Sequence, residues 1–134
     1  MNNRTTKFVE NQKLVIPTKG GFLFIYPSDI IRCEANKKYA TCILKNNIQE
    51  ELSISLKQVE AVLKECGFIR VHHAHLININ HVEKYETVKY CHRGGAITMS
   101  SGEVVNISIR KKKFFKKYFL KNSIEAQLSS NQSE

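Results

Sequence analysis

The chain has 134 residues, 42% of them hydrophobic and 25% charged, which is room for one globular core and too little for two. Its formal charge is +9, from 21 lysines and arginines against 12 acids. Seven of those bases and no acid fall within 110–121, so everything else sums to 9 − 7 = +2 and the positive field is directional.

Residues 1–12 read as a flexible polar lead-in with no apolar signal segment, and no apolar run reaches the ~20 residues of a membrane-spanning helix. A cytoplasmic protein is the expectation. From Lys13 onward the pattern is that of strands. KLVIPTK and FLFIY are separated by Gly20-Gly21, a turn pair, and Pro27-Ser28-Asp29 marks the next turn. IIRCEA follows, with Ile31, Cys33 and Ala35 expected on one face and Arg32 and Glu34 on the other. Asn36-Lys37-Lys38 breaks that strand, YATCIL resumes it, and Lys45-Asn46-Asn47 breaks it again before IQEELSI.

Ser55 followed by Gln58 predicts a capping box, in which hydroxyl and amide satisfy the first free backbone N–H groups of a helix. Leu56, Val59, Val62, Leu63 and Cys66 form its apolar stripe, and Gly67 supplies the left-handed residue that ends it. After this mid-chain helix come FIRV, the segment HHAHLININ, and short strands at HVEKY and TVKYC. A turn at His92-Arg93-Gly94-Gly95 leads to AITMS and EVVNI, which flank Ser101-Gly102. RKKKFFKKYFLK closes the body as a basic amphipathic helix that docks Phe114, Phe115, Tyr118 and Phe119 and leaves its lysines in water. Residues 122–134 read as a disordered tail. One domain over 13–121, mostly antiparallel β, is the resulting expectation.

The side chains that could carry chemistry are few. His72, His73, His75 and His81 fall within ten residues, but in an extended segment His73 and His75 share a face and His72 opposes them. No cysteine stands at metal-site spacing from them. Cys33, Cys42, Cys66 and Cys91 lie 9, 24 and 25 residues apart and read as reduced, mostly buried small side chains. No paired carboxylates, activated nucleophile or glycine-rich phosphate loop is visible, so no enzyme and no cofactor are expected. A basic segment interleaved with aromatics fits nucleic acid better than an anionic membrane, because a core is available to bury its few aromatics.

FIRVHHAHLININHVEKY, residues 68–85, resembles the signature of the LytTR DNA-binding domain. In that family a Phe-x-Arg-apolar-His core is followed by a basic or amide residue, a serine, an aromatic, two aliphatics and an asparagine. Phe68, Arg70, His72 and Asn78 match. IIRCEANKKYATCIL (30–44) is similar to the family's early strand–loop–strand, and NISIRKKKFF (106–115) to its Ser-x-Arg-rich end. The resemblance spans about residues 14–120. Three positions depart from it: His73 replaces an arginine or lysine, Ala74 a serine, and His75 an aromatic.

The resemblance implies an elongated stack of small antiparallel β-sheets with one short mid-chain helix and a basic C-terminal helix. It implies a bacterial transcription regulator that inserts loops into successive major grooves at promoter direct repeats. Double-stranded DNA is the implied partner, with room for a homodimer on that DNA. Carried over by position, the DNA-binding residues are Asn36, Lys37 and Lys38, then His73, then Arg110 after Ser108, with Lys111, Lys112 and Lys113 on phosphates. His72 and Asn78 are expected to be structural, satisfying backbone groups and closing a turn. LytTR domains usually follow a receiver domain, as in response regulators of two-component systems. Twelve residues precede the first expected strand here, which suits a stand-alone regulator with a separate signalling partner or an excised C-terminal domain. The alternatives are a non-specific polyanion or RNA-binding module, and a metal-binding protein using His72, His73 and His75.

Overall fold

The computed structural model describes residues 12–87, 94–124 and 127–128. The lead-in at 1–11, the expected strand over 88–91, His92-Arg93, and the tail at 125–126 and 129–134 lie outside the described residues.

Every described strand pairing is antiparallel. A two-stranded ribbon joins β1 (Leu14–Pro17) to β2 (Phe22–Ile25). The central sheet runs in the order β5-β4-β3-β7-β6, from β3 (Ile30–Asn36), β4 (Tyr39–Leu44), β5 (Gln49–Glu51), β6 (Phe68–His72) and β7 (His75–Asn78). A third sheet, in the order β10-β9-β8, contains β8 (Val82–Glu86), β9 (Gly95–Met99) and β10 (Val104–Ile107). Helix α1 (Leu56–Leu63) follows β5 and α2 (Ile109–Leu120) follows β10. This is the expected mostly β stack of small sheets with a mid-chain helix and a basic late helix.

Two hydrophobic cores share the central sheet. On one face Ile30, Cys33, Cys42, Phe68 and Leu76 pack with Ile16 and Ile25 of the ribbon and with Leu56, Val59 and Leu63 of α1. On the other, Ile31, Ile69, Val71 and Ile77 pack with Ile97, Met99, Val105 and Ile107 of the third sheet and with Phe115 of α2. A sheet covered on both sides has no polar face, which is why FIRV and LIN read as nearly unbroken apolar runs.

The expected alternation in IIRCEA fails at one point. Ile31 lies in the second core while Cys33 and Ala35 belong to the first. The pairing of β3 with β4 shifts register between Ile30 and Arg32. A bulge there adds one residue, so the period of two is reset and Ile31 and Cys33 serve opposite cores.

Helix α1 has the expected capping box, with both the Ser55 and Gln58 arms in place, and Gly67 adopts φ 86° after it. Leu56, Val59 and Leu63 are buried, but Val62 is 54% exposed, because the contact stripe is narrower than the apolar pattern. Similarly, Phe115 is buried on α2 with Tyr118 and Phe119 packed beside it, while Phe114 stays 53% exposed. Residues 115, 118 and 119 stand at i, i+3 and i+4 on the docking face, and Phe114 falls on its flank.

Candidate nucleic-acid interface

Strand register brings two of the candidate loops together. β3 pairs with β7 through Glu34 opposite His75, and the Ala35 N–H donates to the Ala74 carbonyl at 2.9 Å. The β3–β4 turn at Lys37-Lys38 and the β6–β7 turn at His73-Ala74 therefore lie at the same end of the central sheet. The Ser108 N–H donates to the carbonyl of Val71, one residue before His72, so α2 begins beside that same end. Asn36, Lys37, Lys38, His73 and Arg110 are all exposed.

The β6–β7 turn is clamped. Arg70 donates Nε to the His72 carbonyl at 3.0 Å and Nη2 to the His73 carbonyl at 2.6 Å. Its Nη1 donates to Glu60 Oε1 of α1 at 2.7 Å. The guanidinium thus ties the His73 backbone to a helix of another layer. In the β3–β4 turn, Lys37 takes a left-handed φ of 59° and the Lys38 ammonium lies 5.3 Å from the Tyr39 ring centroid.

The three histidines are not arranged as expected. The His72 ring lies 4.3 Å from that of His73 and 5.2 Å from that of His75, so it sits between them rather than opposite. His73 is in the turn, where strand alternation does not apply, and β6 shifts register between Arg70 and His72. His72 Nδ1 accepts the Ala74 N–H at 3.1 Å. Among the described residues no group of three or more His, Cys, Asp or Glu is placed to hold a metal ion. His81 stands apart, with Nδ1 hydrogen-bonded to the Ser100 hydroxyl at 2.7 Å and Nε2 donating to the Ser28 carbonyl at 2.8 Å.

Behind the rings, buried Arg32 reaches Glu103 through Nε at 3.1 Å and Nη2 at 3.0 Å, and Glu34 through Nη1 at 2.7 Å. The pair joins the central sheet to the β9–β10 turn. Its hydrogen bonds hold the Glu103 carboxyl below the ordinary carboxylate range. Burial, then the Arg32 charge, pushes His75 below the usual imidazole value. His72 and Asn78 have the expected structural bonds: Asn78 donates to the Pro27 and Ile30 carbonyls and accepts from the Asn80 N–H.

Helix α2 starts on Ser108, whose hydroxyl accepts the Lys111 N–H at 3.3 Å. Arg110 to Lys113 follow with no acid in the first turn. Cations at a helix N-terminus oppose the helix dipole, so this turn concentrates positive potential that an anion would relieve. Gly94 underlies the start: a Cβ there would stand 2.6 Å from the Ser108 carbonyl oxygen. The expected role of Gly94 was only a turn; close backbone approach is what requires it.

The LytTr DNA-binding domain family matches residues 20–120. The chain belongs to the LytTR family. That membership makes it a DNA-binding domain of transcription regulation, from a family of binding domains rather than enzymes. A solved structure described as the LytTr DNA-binding domain of a methyl-accepting/DNA response regulator from Bacillus cereus superposes with a TM-score of 0.66 at 23% identity. It covers 80% of this chain and 95% of that one, and shows the same fold. No curated protein matches the chain. Among the described residues no helix is long and apolar enough to cross a membrane.

The residues that sequence reasoning missed in this LytTR domain are supports. Arg70 stood out only as a matching position, and nothing in the sequence tied it to Glu60 or to the two turn carbonyls. Arg32 and Glu103 are 71 positions apart.

Proposed function

We propose that this LytTR domain binds double-stranded DNA sequence-specifically at promoter direct repeats and performs no catalysis. The two hairpin turns and the start of α2 enter successive major grooves. The observation that carries this reading is their common end of the sheet, set by the Glu34–His75 register and the Ser108–Val71 bond.

Arg110 reads a guanine, because a guanidinium can donate to O6 and N7 together, worth ~1–3 kcal/mol of discrimination. Asn36, Lys37, Lys38 and His73 contact base edges or adjacent phosphates from the two turns. Lys111, Lys112 and Lys113 neutralise phosphates and add affinity without sequence information. The working unit is 13–121. Its partners are a second copy on the neighbouring repeat and a receiver domain or separate signalling protein that supplies the input. A DNA target places it in the cytoplasm.

Selection of bound duplexes from a random pool, followed by titration of the selected repeat, tests the proposal. The repeat should bind about a hundredfold tighter than a scrambled duplex or single strands. Arg110→Ala should relax base preference, whereas Lys112→Ala should weaken all duplexes alike and lower the salt slope by about one unit. Equal binding to all nucleic acids would replace this reading with a general polyanion-binding module.

A further inference from the structure

Cys33 and Cys42 face each other across the β3–β4 hairpin, both fully buried, with their Sγ atoms 3.3 Å apart. We propose that this pair is a latent disulfide, closed by hydrogen peroxide and reopened by a thiol reductant, which staples the hairpin behind its turn.

The backbone supplies the geometry. Ala35 gives its N–H to Ala74 of the neighbouring hairpin, while Ala40 bonds Ile54 and Leu52, so the Ala35–Ala40 pair exchanges no hydrogen bonds across the hairpin. Cys33 and Cys42 lie two residues further along each strand and are a pair of the same kind. In such pairs the Cα atoms stand ~4.5 Å apart, inside the range of natural disulfides. Side-chain rotation brings the sulfurs to bonding distance with the strands in place. Cys66, by contrast, lies outside the strands, in the turn between α1 and β6.

The chemistry balances with one peroxide. The thiolate of one cysteine attacks a peroxide oxygen, the O–O bond breaks, and hydroxide leaves and takes up a proton as water. The resulting sulfenic sulfur is attacked by the other thiol, forming the S–S bond and releasing a second water. Two thiols are oxidised by two electrons and one peroxide is reduced to two waters. Full burial selects a small neutral oxidant over a bulky disulfide. The hydrogen bond that the Cys33 S–H shares with the Cys42 sulfur, and after it burial, hold the Cys33 thiol well above its ordinary range, so closure is slow at neutral pH and faster in alkali. The staple would lie three residue pairs from the Asn36–Tyr39 pair that flanks the turn. Closure of this staple does not depend on whether that turn touches DNA.

The test is peroxide treatment of the full chain, alkylation of free thiols under denaturing conditions, and trypsin digestion. Cleavage after Arg32, Lys37, Lys38 and Lys45 releases Cys33 and Cys42 on separate peptides, 33–37 and 39–45, unless they are bridged. The expected product is those two peptides joined, two hydrogens lighter than their sum and separated by dithiothreitol. The bridged protein should melt higher, by about 5 °C. In Cys42→Val the joined species should vanish and Cys33 should be alkylated. Recovery of both peptides alkylated, with Cys66 or Cys91 carrying the oxidation, overturns the proposal. So does a bridge between copies, or a bridged form that melts lower than the reduced one.

Discussion

The two hairpin turns at the candidate DNA-facing end are held in different ways. The β6–β7 turn has its carbonyls gripped by Arg70, itself anchored to Glu60 on α1. The β3–β4 turn relies on its own backbone, with Lys37 left-handed and Lys38 laid on Tyr39. One turn is fixed by a bond from another layer, and the other carries a small conformational cost within two residues. Arginine suits the first task because its planar fork donates from three separate nitrogens to acceptors that lie apart, a span that the single nitrogen of a lysine cannot cover.

The largest effect that separates the two turns is expected from Arg70→Ala. It removes three charge-assisted hydrogen bonds at a half-buried site, so stability should fall by about 2–3 kcal/mol. DNA affinity should fall by about 30-fold or more, since a loosened turn must be ordered again on binding. Glu60→Gln keeps the bonds to both carbonyls and should cost only about 1 kcal/mol, with affinity nearly unchanged. Denaturant titration and duplex binding on the same samples decide the matter. If Arg70→Ala loses stability but keeps its affinity, a preformed His73 turn is irrelevant to recognition.

Acid should lower stability through His75, because burial, then the Arg32 charge, lower its folded-state pKa below the ordinary 6.5. The unfolded chain then binds a proton that the folded one refuses, so this group's contribution is intact above about pH 7 and declines as pH falls through 6.5 and below. Melting temperatures between pH 7.5 and 5 should show the decline, reduced in His75→Gln. Arg32, Glu34, Glu103, His72 and His73 face this ring, and the Glu103 carboxyl contributes its own loss only at lower pH.

What could be read from the sequence follows the range of the interactions. The Ser55–Gln58 capping box and the Gly67 terminator span a few residues and were legible, as were the turns at Lys37-Lys38 and Ser101-Gly102. The 68–85 signature carried the family. The bulge that sends Ile31 and Cys33 to opposite cores was not legible, because periodicity cannot register one inserted residue in a strand that is apolar on both sides. Phe114 looked as dockable as Phe115, and only the position of the third sheet distinguishes them. Likewise, the stacking of His72 between His73 and His75 depends on a register shift, and the Arg70 and Arg32 anchors join residues that only the fold brings together.

The smallest effect should come from the freer turn and completes the contrast with Arg70. A non-glycine residue at φ 59° carries roughly 1–2 kcal/mol of strain, which asparagine largely avoids. Lys37→Asn should therefore raise stability by a few tenths to about 1 kcal/mol. It also deletes a cation that the proposed interface uses, so affinity should drop modestly and the salt slope should shrink by about one unit. Stability and binding would thus part company at the β3–β4 turn, whereas Arg70→Ala lowers both at the β6–β7 turn. A lower melting temperature in Lys37→Asn would mean that the lysine is held in its left-handed conformation by favourable contacts rather than at a cost. The two turns would then differ in their anchors alone.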